Sequence, residues 1–194
     1  MANATPTAVD LVDDETALNV ARAALFAALL GAFAYVSFPY PLSPAPVTLQ
    51  VLGVFLAGLF LGPLWGGAAM VLYLLAGALG APIFSGGGAG LGVLLGPTGG
   101  YLFSYPLAAI AVGAIAHGGI ELRPLADRSV PRLVAGMAAA TLVIYGIGVP
   151  FMWWNLDMTL RTAVITGAVV FVPAEAIKMA AAIGIVRSDA IRAE

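Results

Sequence analysis

From residue 18 onward the chain is a succession of apolar runs broken by glycine, proline or charge, roughly 18–38, 47–62, 64–80, 97–117, 132–152 and 162–186. A helix needs about 20 mostly apolar residues to cross a bilayer, or about 17 where the bilayer adapts. The runs therefore predict an all-α integral membrane protein, a bundle of six transmembrane helices. The second and third runs are short and are separated by "LGPLWGG", Leu61 to Gly67, a turn signal. No strong internal repeat is visible, so an inverted-repeat transporter is not supported.

Composition sharpens this reading. Only 9% of residues are charged, against about 25% in soluble domains, and mean hydropathy is +1.02. No Asp, Glu, Lys or Arg occurs between Arg22 and Glu121, so this stretch faces lipid or the protein's own interior. Residues 1–17 form a polar acidic tail without the basic start of a secretory signal, 18–187 a single transmembrane domain and 188–194 a short tail.

With both termini cytoplasmic, Arg22, Arg123, Arg128, Arg132, Arg187 and Arg192 fall inside and only Arg161 outside, as the positive-inside rule demands in a cell membrane. The outer connections are then 39–46, 81–100 and 153–161, with Trp153 and Trp154 at headgroup level. Net charge −2, with Asp10, Asp13, Asp14 and Glu15 clustered, argues against a nucleic-acid partner. Without cysteine and with one histidine, no metal site is expected.

Glu175 and Lys178 are the chemical anomaly. Three positions apart, they share a helical face inside an apolar run. Each costs about 2.5–3.5 kcal/mol at a bilayer centre, which calls for a polar cavity, a ligand, or a pinned helix pair. Pro173 nearby removes a backbone donor and offers irregular backbone.

The glycine-rich stretch Gly86 to Gly92 lacks the lysine of a phosphate-binding P-loop and the spacing of a dinucleotide loop, and "TGGY" at 98–101 differs from a potassium filter. It reads as a flexible lid over an outer pocket, whose amides can meet an anion, or else as a tight connector. Ser85 and His117 are expected on opposite sides of the membrane, which speaks against a serine protease. Ala23 with Ala27, and Ala24 with Ala28, give the first helix small-xxx-small faces for a neighbouring helix.

"SPAPVTLQVLGVFLAGLFLGP" (43–63), "MVLYLLAGALGAPIFSGGGAGLGVLLGPTGGYL" (70–102) and "VPAEAIK" (172–178) resemble the BioY family, the biotin-binding S components of energy-coupling factor transporters. The resemblance implies six helices, inside termini, and an outward pocket capped by loops. It also implies an AxxxA face, here Ala23, Ala24, Ala27 and Ala28, that meets a transmembrane coupling subunit. The family's last helix usually reads P-G-D-x-x-K, whose acid and lysine contact biotin. Here Ala174 replaces the glycine and Glu175 the aspartate, a side chain longer by one methylene.

By that resemblance the protein is a transport subunit, not an enzyme. It has biotin as transported ligand, no cofactor, and two ATPases with a coupling subunit as partners, or self-association if solitary. Chemistry agrees: a carboxylate suits the ureido N–H groups and an ammonium the ureido oxygen, so Glu175 and Lys178 hold one end of biotin. Its carboxylate is then expected at Gly86, Gly87 and Gly88, helped by Ser85, with Arg161 as the competing choice. Gln50, Tyr73, Asn155 and Trp153 are further pocket candidates. A carrier for another vitamin, and a scaffold whose charged pair is structural, are the alternatives.

Overall fold

A computed structural model describes residues 13–188. Helix α1 (Asp14–Tyr35) begins where the Asp13 carboxylate accepts the Thr16 amide at 2.6 Å, an N-cap that satisfies one free donor of the first turn. Two short antiparallel strands follow, β1 (Ser37–Phe38) and β2 (Val47–Thr48), with Ser37 opposite Thr48 and Phe38 opposite Val47.

Helix α2 (Gln50–Ala78) is broken at Gly62, whose φ of 72° and ψ of −175° leave the helical region. The break is a reversal. Gln50 Nε2 donates to Tyr73 Oη at 2.8 Å, whereas 23 residues of straight helix would separate them by about 35 Å. Gly66 lies so close to the first arm that a Cβ there would sit 2.9 Å from the Ala57 carbonyl oxygen. The chain thus turns back within the stretch that the sequence assigns to the end of one short run and the start of the next.

Helices α3 (Leu91–Leu95), α4 (Gly99–His117), α5 (Val130–Leu156), α6 (Leu160–Gly167) and α7 (Val172–Arg187) complete the bundle. Among the described residues five helical stretches are long and apolar enough to cross a membrane: α1, α2, α4, α5, and α6 with α7 as one unit, Leu160–Arg187. Helix α4 is the centre, packed on both α2 and α5. The approach is close because glycine meets backbone: a Cβ on Gly113 would lie 2.4 Å from Pro63 N, and one on Gly58 2.5 Å from the Ala109 carbonyl oxygen.

His117 closes one end. The last carbonyls of the first α2 arm have no helical donor, and position 63, which would serve Leu59 in an unbroken helix, is a proline without an N–H. His117 Nε2, fully buried, donates to the Leu59 carbonyl at 2.9 Å instead. Its Nδ1 lies 2.9 Å from the Arg123 carbonyl oxygen and 3.1 Å from the Arg123 amide nitrogen, so the ring also ties α4 to the segment that follows it. Arginines gather at this end: Arg132 Nε donates to the Ile115 carbonyl at 2.7 Å, and Arg187 donates to the carbonyls of Ala126 and Arg128.

Candidate ligand-binding site

At the opposite end from the arginines, a cavity of about 720 Å³, including the space at its mouth, opens between the β1–β2 loop, α2, α4, α5 and α7. Its walls are mainly apolar, with Val47, Val51, Leu102, Ile144 and Phe171, and its polar groups come from Thr48, Gln50, Ser85, Thr98 and three tyrosines, Tyr101, Tyr105 and Tyr145. Glu175 and Lys178 line the same cavity.

The position of that pair follows from a helix break. The sequence predicts one span over 162–186, whereas the chain forms a single 3-10 turn over Val169–Phe171 between α6 and α7. Pro173 has no N–H for the Val169 carbonyl, and the Val172 amide takes that carbonyl instead, one residue tighter. Phe171 N likewise shifts to the Ala168 carbonyl, which frees the Gly167 carbonyl. Tyr101 Oη, from the centre of the bundle, donates to Gly167 at 2.9 Å and makes good the loss.

Helix α7 therefore starts afresh beside the cavity, with Glu175 in its first turn, where the helix dipole favours a carboxylate. Glu175, Lys178, Ala182 and Val186 form its buried stripe, while Ile177 faces outward at 71% exposure. Lys178 Nζ donates to Glu175 Oε1 at 2.8 Å, and the two residues are 5% and 4% exposed. Glu175 Oε2 and the Tyr145 hydroxyl are buried and have no hydrogen-bond partner. A buried polar atom without a partner costs roughly 1–3 kcal/mol, more when it is charged, and a ligand N–H recovers it.

The other residues singled out in the sequence are dispersed. Gln50 lines the cavity, but its amide is engaged: Oε1 accepts from Thr48 Oγ1 at 3.0 Å and Nε2 serves Tyr73. Tyr73 lies behind the wall, edge-on to Phe84, and donates to the Ile83 carbonyl at 2.8 Å, so this chain of bonds runs from the cavity wall to the glycine-rich loop. Ser85 lines the cavity, 3.1 Å from Ser37 Oγ. Gly86 borders a separate outer hollow with Tyr35 and Tyr40. The amides of Gly87 and Gly88 donate to the carbonyls of Phe84 and Ser85 within the loop.

Asn155 is exposed and bonded to the Phe151 carbonyl, and Arg161 and Trp153 are exposed away from the cavity wall. The alanine faces divide. Ala23 is buried and Ala27 half-buried against the protein's own core, while Ala24 and Ala28 are exposed. Thr48, Tyr101, Tyr105, Tyr145 and Phe171 were missed by sequence reasoning. Only Tyr101 and Tyr105 carried a signal, two polar tips four residues apart on one face of an apolar run.

The BioY family model matches residues 5–193. The chain belongs to the BioY family. No curated protein matches it. A crystal structure at 2.1 Å of the S-component for biotin from an ECF-type ABC transporter is similar to it with TM-score 0.81, 22% identity, and 95% of each chain covered. That likeness shows a shared fold. The BioY assignment extends over all three stretches in which the sequence resembles the family and over the cavity with its charged pair.

Proposed function

We propose that this chain is the membrane-embedded biotin-binding subunit of a biotin uptake transporter. One observation carries the reading: a buried Glu175–Lys178 pair, with one carboxylate oxygen still free, lines the wall of a largely apolar cavity in a BioY chain. Biotin supplies the complement. One ureido N–H donates to Glu175 Oε2, the ureido oxygen accepts from Lys178 Nζ, and the ring and tail lie against the Val47, Val51, Leu102, Ile144 and Phe171 walls. The carboxylate is directed to the mouth, toward Ser85 and the glycine-rich loop, with Arg161 as the alternative partner.

The two arms of α2, 50–61 and 63–78, rise about 18 and 24 Å at 1.5 Å per residue, shorter than the bilayer's apolar core, and serve as two short crossings completed by the loops at their ends and by the longer helices around them. Six crossings put both termini on the cytoplasmic side, the arginine-rich end inside, and the cavity mouth outside. This is a transport subunit of the plasma membrane, without a nucleotide-binding motif in its sequence. A separate module of two ATPases and a coupling subunit supplies the energy, meeting the exposed Ala24 and Ala28 face of α1, or a second copy takes that place.

The test is equilibrium binding of radiolabelled biotin to the purified protein in detergent, beside a folded Lys178→Ala variant, with thiamine, riboflavin and lipoate as competitors. Tight binding of biotin alone, abolished in the variant, is expected. A folded parent that ignores biotin, or prefers another vitamin, overturns the assignment.

A further inference from the structure

Among the described residues three buried side-chain polar atoms have no partner: Arg128 Nε, Tyr145 Oη and Glu175 Oε2. Two of the three line the same cavity. Resting on the biotin reading above, we infer that Tyr145 is a specificity-determining residue whose hydroxyl donates to the ureido oxygen of the ligand, beside the carboxylate that receives the ureido N–H.

The Tyr145 hydroxyl lies beside the Glu175 carboxylate but makes no well-formed hydrogen bond to it. Tyr145 stands on α5 with its ring edge-on to Tyr101 at a centroid distance of 6.4 Å. Tyr101 cannot take the same role, because its own hydroxyl is committed to the Gly167 carbonyl at the break before α7. Helix α5 packs against α7, so Tyr145 approaches the charged pair from the facing helix.

Chemistry then selects the end of the ligand. The free carboxylate oxygen accepts only, so from biotin it can take only an N–H, and biotin carries its N–H groups on the ureido ring alone. The ureido oxygen has two lone pairs. Lys178 fills one and leaves the other for a second donor, which the Tyr145 hydroxyl beside Glu175 provides. A site built on such groups rejects ligands that leave them unpaired, so Tyr145 adds selectivity for a cyclic urea over an apolar ring of the same shape.

The experiment compares Tyr145→Phe with the parent, using biotin, biotin amide, and the thiourea analogue in which sulfur, a weaker acceptor, replaces the ureido oxygen. The variant loses a hydroxyl with no protein partner, so its ligand-free melting temperature is expected to equal or exceed the parent's. Affinity for biotin and for biotin amide is expected to fall by the same factor, about tenfold, and affinity for the thiourea analogue by less than about threefold.

An equal loss for all three ligands would mean that Tyr145 only supports Glu175. A loss confined to biotin would place the hydroxyl at the carboxylate end, and a lower ligand-free melting temperature would make it structural. Unchanged binding overturns the inference as well. Failure of the parent to bind biotin at all sinks the underlying reading instead, and is seen before the variant is measured.

Discussion

Replacing Lys178 by methionine keeps most of the side-chain volume and removes the charge that answers Glu175. With the pair 2.8 Å apart and both residues at or below 5% exposure, the carboxylate is left buried and uncompensated. Removing one partner of such a pair costs about 3–5 kcal/mol, whereas replacing both by residues of similar volume is close to neutral. At about 2–4 °C per kcal/mol for a chain of this size, Lys178→Met should lower the ligand-free melting temperature in detergent by roughly 6–20 °C. The double variant with Glu175→Gln should recover most of that loss. The same samples are then titrated with biotin, and the double variant should be stable yet bind at least about a hundredfold more weakly, having lost two charge-assisted bonds. A single variant as stable as the double would show that the two charges do not compensate each other. A stable double variant that binds biotin like the parent would reduce the pair to a helix pin and refute the recognition argument.

Three further outcomes follow from the packing. Tyr73→Phe removes the donor to the Ile83 carbonyl and the acceptor for Gln50, a loss of about 1–3 kcal/mol, and hydrogen exchange across 81–90 should quicken; unchanged exchange there would disconnect the loop from this bond chain. Gly113→Ala places a Cβ 2.4 Å from Pro63 N and should cost about 1–3 kcal/mol by thermal melting, while Gly184→Ala, with nothing within 4 Å, should be neutral or stabilising. The Thr16 amide holds the Asp13 carboxyl below the usual carboxylate range. Its capping contribution is thus complete above the unfolded-state pKa and is lost as pH falls through the lower folded value, so NMR should show residues 14–17 fraying only in acid, and Asp13→Asn should flatten that dependence.

What could be read in advance depended on whether a residue's meaning was local. Glu175 and Lys178 were legible because a charge in an apolar run demands an explanation wherever it lies. The reversal at Gly62 was legible because glycine and proline adjoin in a gap between two runs. The interruption of the last span was not, although Pro173 was recognised as a missing donor: the break also needs Tyr101, 66 positions away, to receive the freed Gly167 carbonyl. Tyr145 was invisible for the same reason, since a tyrosine in an apolar helix is ordinary until its hydroxyl is seen to lack a partner. The alanine faces of α1 could be named but not distinguished, because which of two adjacent stripes is covered depends on where α2 lies.

His117 gives the protein a built-in reporter. It is the only histidine in the chain, and its ring joins the bend of α2, the end of α4 and the segment leading to Arg123. Any movement that separates α2 from α4 at that end must break the Nε2 bond to Leu59 and strand the carbonyl. A single pair of imidazole nitrogen resonances, free of overlap from other histidines, therefore tracks the opening of this end in a lipid nanodisc without site-specific labelling.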